Sequence, residues 1–282
     1  VIRDSGRQTA YAVPFGSLAC PGNTYLVPTR IYLSNDGNLS LSTGEFCYTD
    51  LKIHLMENPE RPVFEAMQIS QPVTSSELAA GYMALVIRHA RAWFLNHSQS
   101  IYTSTHIHWH INLGIPSKNY DDSAKRKTFQ TTAMAAWRIS MLDAATNILE
   151  VKKYLQEANN YAAIKESNLD QKYSESLWLH TDFVNAHPEV IMEVVGYVRS
   201  PLRTNGLHLL VDVGATTVDA ATFVIHSRDG EDIYPLLETK VEKYGTMILH
   251  KRRIQAIKLS LEKSLREKNS IDPVKALPAS AD

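Results

Sequence analysis

Apolar and polar positions change rhythm several times along the 282 residues. Arg7–Val13 alternates, Gly16–Thr24 reads as a loop, and Tyr25–Leu33 is strand-like around Pro28. Asn35-Asp36-Gly37-Asn38 is a hairpin-type turn with apolar residues on both sides. Asp50–Met56 shifts to a helical pattern, stopped by Asn58-Pro59 and Arg61-Pro62. Thr74-Ser75-Ser76-Glu77 is a capping box, and behind it Leu78, Tyr82, Leu85, Val86 and Trp93 recur at helical spacing, predicting a helix to about Leu95. Thr105–Ile115 alternates again and ends at Gly114-Ile115-Pro116, a strand entering a loop. Asp121-Asp122-Ser123 caps a helix through about Ile139, and residues 141–180 are mostly helical and polar. Pro188 stands where a helix begins, which assigns Glu189–Val198. Ser200–Asn205 is a polar turn, and two apolar runs about a tight turn make 207–225 a β-hairpin. Ser227-Arg228-Asp229-Gly230 is a second hairpin-type turn, Tyr234–Lys243 the next strand, and 249–268 a basic helix. The β, α, β order predicts α/β layers.

The hairpin tip holds the most specific chemistry. Its spacing is Asp212-x-Gly214-x-x-Thr217-x-Asp219. Glycine lets a backbone turn and approach a phosphate closely. Amides at 214–217 would then cradle an anion, Thr217 would bond a terminal phosphate oxygen, and Asp212 and Asp219 would hold Mg²⁺ through water. A plain hairpin with turn-forming Asp and Gly is the alternative.

Composition narrows the partners. Lys and Arg number 29 against 30 Asp and Glu, a formal charge of −1, which gives no support for a nucleic-acid or anionic-membrane binder. Cys20 and Cys47 are too few for a disulfide scaffold and lack metal-type spacing, so a reduced, cytoplasmic setting is expected. No apolar run approaches the ~18–20 residues of a membrane span, and no signal peptide is visible.

With these residues in place, the chain resembles the actin-like ATPase superfamily, nearest the branch of the seventy-kilodalton heat-shock chaperones. There the hairpin is the second phosphate motif. The resemblance implies Asp212 near the catalytic water and Mg²⁺, Thr217 at the γ-phosphate and Asp219 in the metal's outer shell, with Ala215 and Thr216 standing where chaperones carry glycines. Segment order agrees. Val27-Pro28-Thr29-Arg30-Ile31 resembles the Val-Pro-Ser segment after the family's first hairpin. His110–Ser117 resembles the strand ending in Val-Pro-Ala, followed by Lys125-Arg126-Lys127 at a helix start. Ala186-His187-Pro188-Glu189 resembles the start of the connecting helix, which makes Glu189 a candidate for orienting water or Mg²⁺. Lys52 resembles the phosphate-facing lysine of the small subdomain, and Gly245, in Lys243-Tyr244-Gly245-Thr246, the Gly-Gly turn after the second motif.

What this implies is a ribonuclease-H-like actin/chaperone ATPase fold, the first lobe plus part of the second. Residues 1–200 form the first lobe, with a large subdomain at 1–35 and 105–200 and an inserted small one at 36–104; residues 201–282 begin the second lobe. The ligands are ATP and Mg²⁺, and the partners are nucleotide plus a protein client or further copies of the chain. The family's opening Asp-x-Gly-Thr motif and its adenosine-binding segment are missing, so the chain is expected to be a fragment that hydrolyses ATP poorly as it stands. An actin-like scaffold or filament subunit, using nucleotide for assembly, is the rival expectation.

Three other features have plainer readings. His106, His108 and His110 fall on one face of the expected strand, where same-face neighbours stand ~6.6–7 Å apart, so a half-exposed strand is favoured over a three-ligand metal site. The basic run from Lys251 to Lys268 is interrupted by Glu262 and Glu267 and reads as a solvated helix face. Trp93, Trp137 and Trp178 lie in helical segments and read as core.

Overall fold

The computed structural model describes residues 1–7, 9–64, 72–116, 122–166, 184–215, 217–228 and 231–267. The fold is mixed α/β, with several small sheets. The described residues fall into two compact units, one drawn from Val1–Ile115 and Asp122–His187, the other chiefly from Pro188 onward. The change-over thus precedes Glu189–Val198, a helix that the expected lobe boundary at 201 leaves with the first lobe.

The first unit opens with an antiparallel pair, β1 (Ile2–Asp4) and β2 (Thr9–Tyr11). β3 (Arg30–Leu33) pairs antiparallel with β4 (Leu39–Ser40) and with β5 (Phe46–Thr49). Next come α1 (Leu51–Glu57), the ribbon of β6 (Pro62–Phe64) with β7 (Val73–Thr74), α2 (Ser75–His97) and the single turn α3 (Gln99–Tyr102). β8 (Ile111–Ile115) pairs with β9 (Val184–Pro188), and α4 (Ser123–Ser140) and α5 (Ile148–Glu166) intervene in sequence.

Local chemistry fixes these boundaries. Thr74 Oγ1 accepts from the Glu77 amide at 3.3 Å while the Glu77 carboxylate accepts from the Thr74 amide at 2.8 Å, so the expected capping box starts α2. Asp122 Oδ1 accepts from the amides of Ala124 and Lys125, both at 3.1 Å, and starts α4. The other end of α4 is closed by arginines: Arg88 donates to the carbonyls of Ile139 (2.8 Å) and Ala144 (3.1 Å), and Arg91 to that of Ser140 (3.3 Å). Arg91 also lies over the Trp137 ring at 4.8 Å, and burial pushes its pKa down.

One core serves this unit. Ile31, Leu33, Leu39, Leu78, Ile139, Ile148 and Val151 are buried in it, so α2, α4 and α5 pack together with the β3–β5 sheet. Close approach is built in at Gly81, where a Cβ would crowd Leu39 Cδ1 and lie 3.4 Å from Ile31 Cδ1. The 34–38 turn is clasped to the start of α5: Asn147 Nδ2 donates to the Asp36 carbonyl at 3.1 Å, and the Ile148 amide to that of Gly37 at 2.8 Å. Tyr102 donates its hydroxyl to Asp4, which also accepts from the Arg7 amide at 3.1 Å; the tyrosine bond, first among these, holds the Asp4 carboxyl below its ordinary range.

Two expectations are corrected. Residues 105–110 are not strand; only Ile111–Ile115 is, so the three histidines do not share a strand face. Instead the rings of His106 and His108 meet edge-on, centroids 4.8 Å apart, and no cluster of three metal-ligating side chains occurs among the described residues. Trp137 is core, Trp93 is half-buried, and Trp178 lies outside the described residues. No helix among the described residues is long and apolar enough to cross a membrane.

Candidate functional site

The second unit is built on α6 (Glu189–Val198), β10 (Gly206–Val213), β11 (Val218–Arg228), β12 (Glu231–Ile233), β13 (Leu236–Glu242) and α7 (Thr246–Glu267). β10 and β11 form the expected hairpin, with β13 on the far side of β11. Alternation decides its faces. His208, Leu210 and Asp212 point to the half-buried side, whereas Leu207, Leu209, Val211 and Val213 point outward and are more than half exposed. α6 covers the first face: Val190, Val194 and Val198, one helical turn apart, form a core with Ala221, Phe223 and Ile225.

Register places Asp212 directly opposite Asp219, next to the tip, so both carboxylates lie on the face that α6 covers. Thr217 Oγ1 donates to Asp219 Oδ2 at 3.1 Å. Two acids and a hydroxyl are thus gathered within one turn of chain. Like charges directly opposite on a sheet repel, and a bound cation would remove that repulsion.

Glu189 is the first residue of α6 and half-buried. The other end of α6 is fixed by Tyr197, whose ring meets His208 edge-on at 5.3 Å and whose hydroxyl accepts from the Thr204 amide at 3.2 Å. Those contacts lie at the open end of the hairpin.

The tip differs from an open amide cradle. The Gly214 amide donates across the turn to the Thr217 carbonyl at 2.9 Å, so it is not available to an anion. The carbonyls of Gly214 and Ala215 accept from the amides of Thr246 (3.0 Å) and Met247 (2.8 Å), which pins the tip to the first turn of α7. Nor does Gly214 serve by its backbone freedom: among the described residues of this hairpin the positive φ belongs to Gly206, at +125°. What glycine provides at 214 is space, since a Cβ would stand 3.3 Å from the Thr217 carbonyl oxygen. Gly245 is buried beside the tip, and its carbonyl accepts from the amides of Ile248 and Leu249.

The structure therefore brings Asp212, Gly214, Ala215, Thr217, Asp219 and Gly245 together, and Glu189 starts the helix that covers the same face of the hairpin. Thr216 lies outside the described residues, and Lys52, second residue of α1, belongs to the other unit. Sequence reasoning missed Thr246 and Met247 as the residues that hold the tip. The signal was present: a Gly-Thr pair before an apolar run marks a helix start three residues earlier than 249. No protein-family model matches the chain, and no curated protein sequence matches it.

Proposed function

We propose that the chain is part of an actin-like, chaperone-like protein that binds Mg-ATP at the hairpin tip and, with the opposing phosphate loop of such proteins, hydrolyses it. One observation carries this reading: Asp212 faces Asp219 across the tip, and Thr217 is bonded to the second acid. A pair of opposed carboxylates suits a hard divalent cation. Asp212 and Asp219 would hold Mg²⁺ through its water shell, and the ion when bound supplies neutralisation of phosphate charge. Thr217 can turn its hydroxyl from Asp219 to a phosphate oxygen. Glu189 orients the attacking water. The fold proposed is ribonuclease-H-like, and the setting cytoplasmic.

The test is ATP turnover by the longest natural chain containing these residues, with and without Asp212→Ala. Turnover that depends on Asp212 is expected, and turnover indifferent to it would remove the proposal.

A second reading has its own observation. Among the described residues β10 is an edge strand, with four outward apolar side chains, Leu207, Leu209, Val211 and Val213. Exposed edges of this kind pair with other chains. An actin-like scaffold or filament subunit would use nucleotide for assembly. Sedimentation in the same experiment separates the two, because nucleotide-dependent pelleting without turnover favours the scaffold.

A further inference from the structure

Among the described residues, the sheet of the second unit has two edges of opposite character. At one edge β13 carries Glu238, Lys240 and Glu242 on alternate positions, with Lys240 Nζ 3.2 Å from the Glu242 carboxylate. Charges so placed keep an edge from pairing with another chain. At the other edge β10 reads Gly-Leu-His-Leu-Leu-Val-Asp-Val, with no lysine and no proline. Alternation assigns its open main chain. The Gly214 amide donates to the Thr217 carbonyl, so the main-chain groups of Asp212, Leu210 and His208 turn inward to β11. Those of Leu207, Leu209, Val211 and Val213 turn to the open side, and the same four residues carry the exposed apolar side chains. We propose that β10 pairs antiparallel with β10 of a second copy of this chain, about a two-fold axis at Leu210, and so closes a dimer through one continuous sheet.

The strand is complementary to itself in that register. Leu207 falls opposite Val213 of the second copy, and Leu209 opposite Val211. Residues with open main-chain groups therefore meet one another, and each such pair exchanges two hydrogen bonds. Leu210 meets its own counterpart, an apolar contact. His208 falls opposite Asp212, and a basic side chain facing an acid across a sheet favours pairing. Asp212 already faces Asp219 on β11, so an imidazole on its other side offsets that repulsion.

Other registers lose these matches. An axis at Leu209 sets Asp212 opposite Gly206, and an axis at Val211 sets it opposite Leu210. An axis at Asp212 brings like charges together. An axis between residues sets open main-chain groups against groups already bonded to β11. A two-fold interface uses the same edge on both copies, so association stops at two. That separates the dimer from a filament, and it rests on the strand edge rather than on nucleotide binding.

Sedimentation equilibrium on the longest natural chain containing these residues tests it. A monomer–dimer equilibrium that ends at twice the chain mass is expected, half complete between about 1 and 100 μM. Val211→Pro removes an amide that faces the open side and leaves the β11 ladder whole, so it is expected to weaken dimerisation about tenfold or more. Oxidative cross-linking reads the register, in a background with the native cysteines, Cys20 and Cys47 among them, replaced by serine. Leu210→Cys is expected to cross-link to its own copy, because opposed residues without mutual hydrogen bonds stand about 4.5 Å apart, within disulfide reach. Leu209→Cys, at an exposed position, is expected to cross-link to a Val211→Cys chain in preference to itself. A chain that stays monomeric at about 200 μM would overturn the proposal, as would growth beyond the dimer. So would a Val211→Pro chain that melts normally and dimerises as tightly as before, or Leu209→Cys cross-linking to itself as readily as to Val211→Cys.

Discussion

At the scale of single residues, Asp212 and Asp219 stand directly opposite each other on paired strands. Opposed carboxylates on neighbouring strands cost roughly 0.2–1 kcal/mol when no cation is present. Asp212→Asn is therefore expected to raise the melting temperature of the second unit slightly in metal-free buffer while abolishing any stabilisation by Mg-ATP. Thermal melts with and without Mg-ATP check both halves, and a variant destabilised in metal-free buffer would mean that the pair is not under repulsion. Asp4 gives a pH prediction. Its carboxyl is held below the ordinary range first by the Tyr102 hydroxyl and then by backbone amides. A depressed carboxylate pKa contributes stability above the unfolded value and loses it as pH falls through the folded value. Tyr102→Phe should therefore lower stability near neutrality, with the loss shrinking as pH falls through the folded pKa of Asp4, as denaturant melts at neutral and acid pH would report.

At the scale of elements, caps and close contacts make the sharpest tests. Thr74→Ala removes half of a reciprocal cap and is expected to cost about 1 kcal/mol. Gly81→Ala improves helix propensity, yet the new methyl meets the Leu39 side chain, so a net loss of about 1–3 kcal/mol is expected in denaturant melts. A gain there would mean that α2 does not approach the β3–β4 hairpin so closely. These elements were legible in the sequence because their signals are local. The capping box, the Asp122 cap, Glu189–Val198 and the 207–225 hairpin all rest on residues within a few positions of one another. What escaped was long-range. The strand expected from Thr105 begins only at Ile111, because alternation does not supply a pairing partner, and the ladder to β9 reaches no further. The pinning of the tip by Thr246 and Met247 joins residues some thirty positions apart. The aspartate pair was legible as a spacing, and its shared face only once the register was known.

At the scale of the molecule, two cores of unequal size stand out. Among the described residues the first unit buries a cluster including Ile31, Leu33, Leu78, Ile139 and Val151, whereas the second buries Val190, Val194, Val198, Ala221, Phe223 and Ile225. The smaller core leaves its unit less stable, since apolar burial is the main favourable term in folding. Calorimetry is expected to resolve two transitions, with Phe223→Ala lowering only the earlier one, at a cost of about 3–5 kcal/mol. A single transition shifted as a whole would mean that the units unfold together.

The central claim is that the bend between Asp212 and Asp219 receives the phosphates of Mg-ATP. Hydrogen–deuterium exchange across residues 206–228 and 246–267, with Mg-ATP and with Mg²⁺ alone, tests it most directly. Nucleotide-dependent protection confined to peptides covering 212–219 and the first turn of α7 is the expected result. Unchanged exchange at the tip under saturating nucleotide, or protection only elsewhere in the chain, would contradict it.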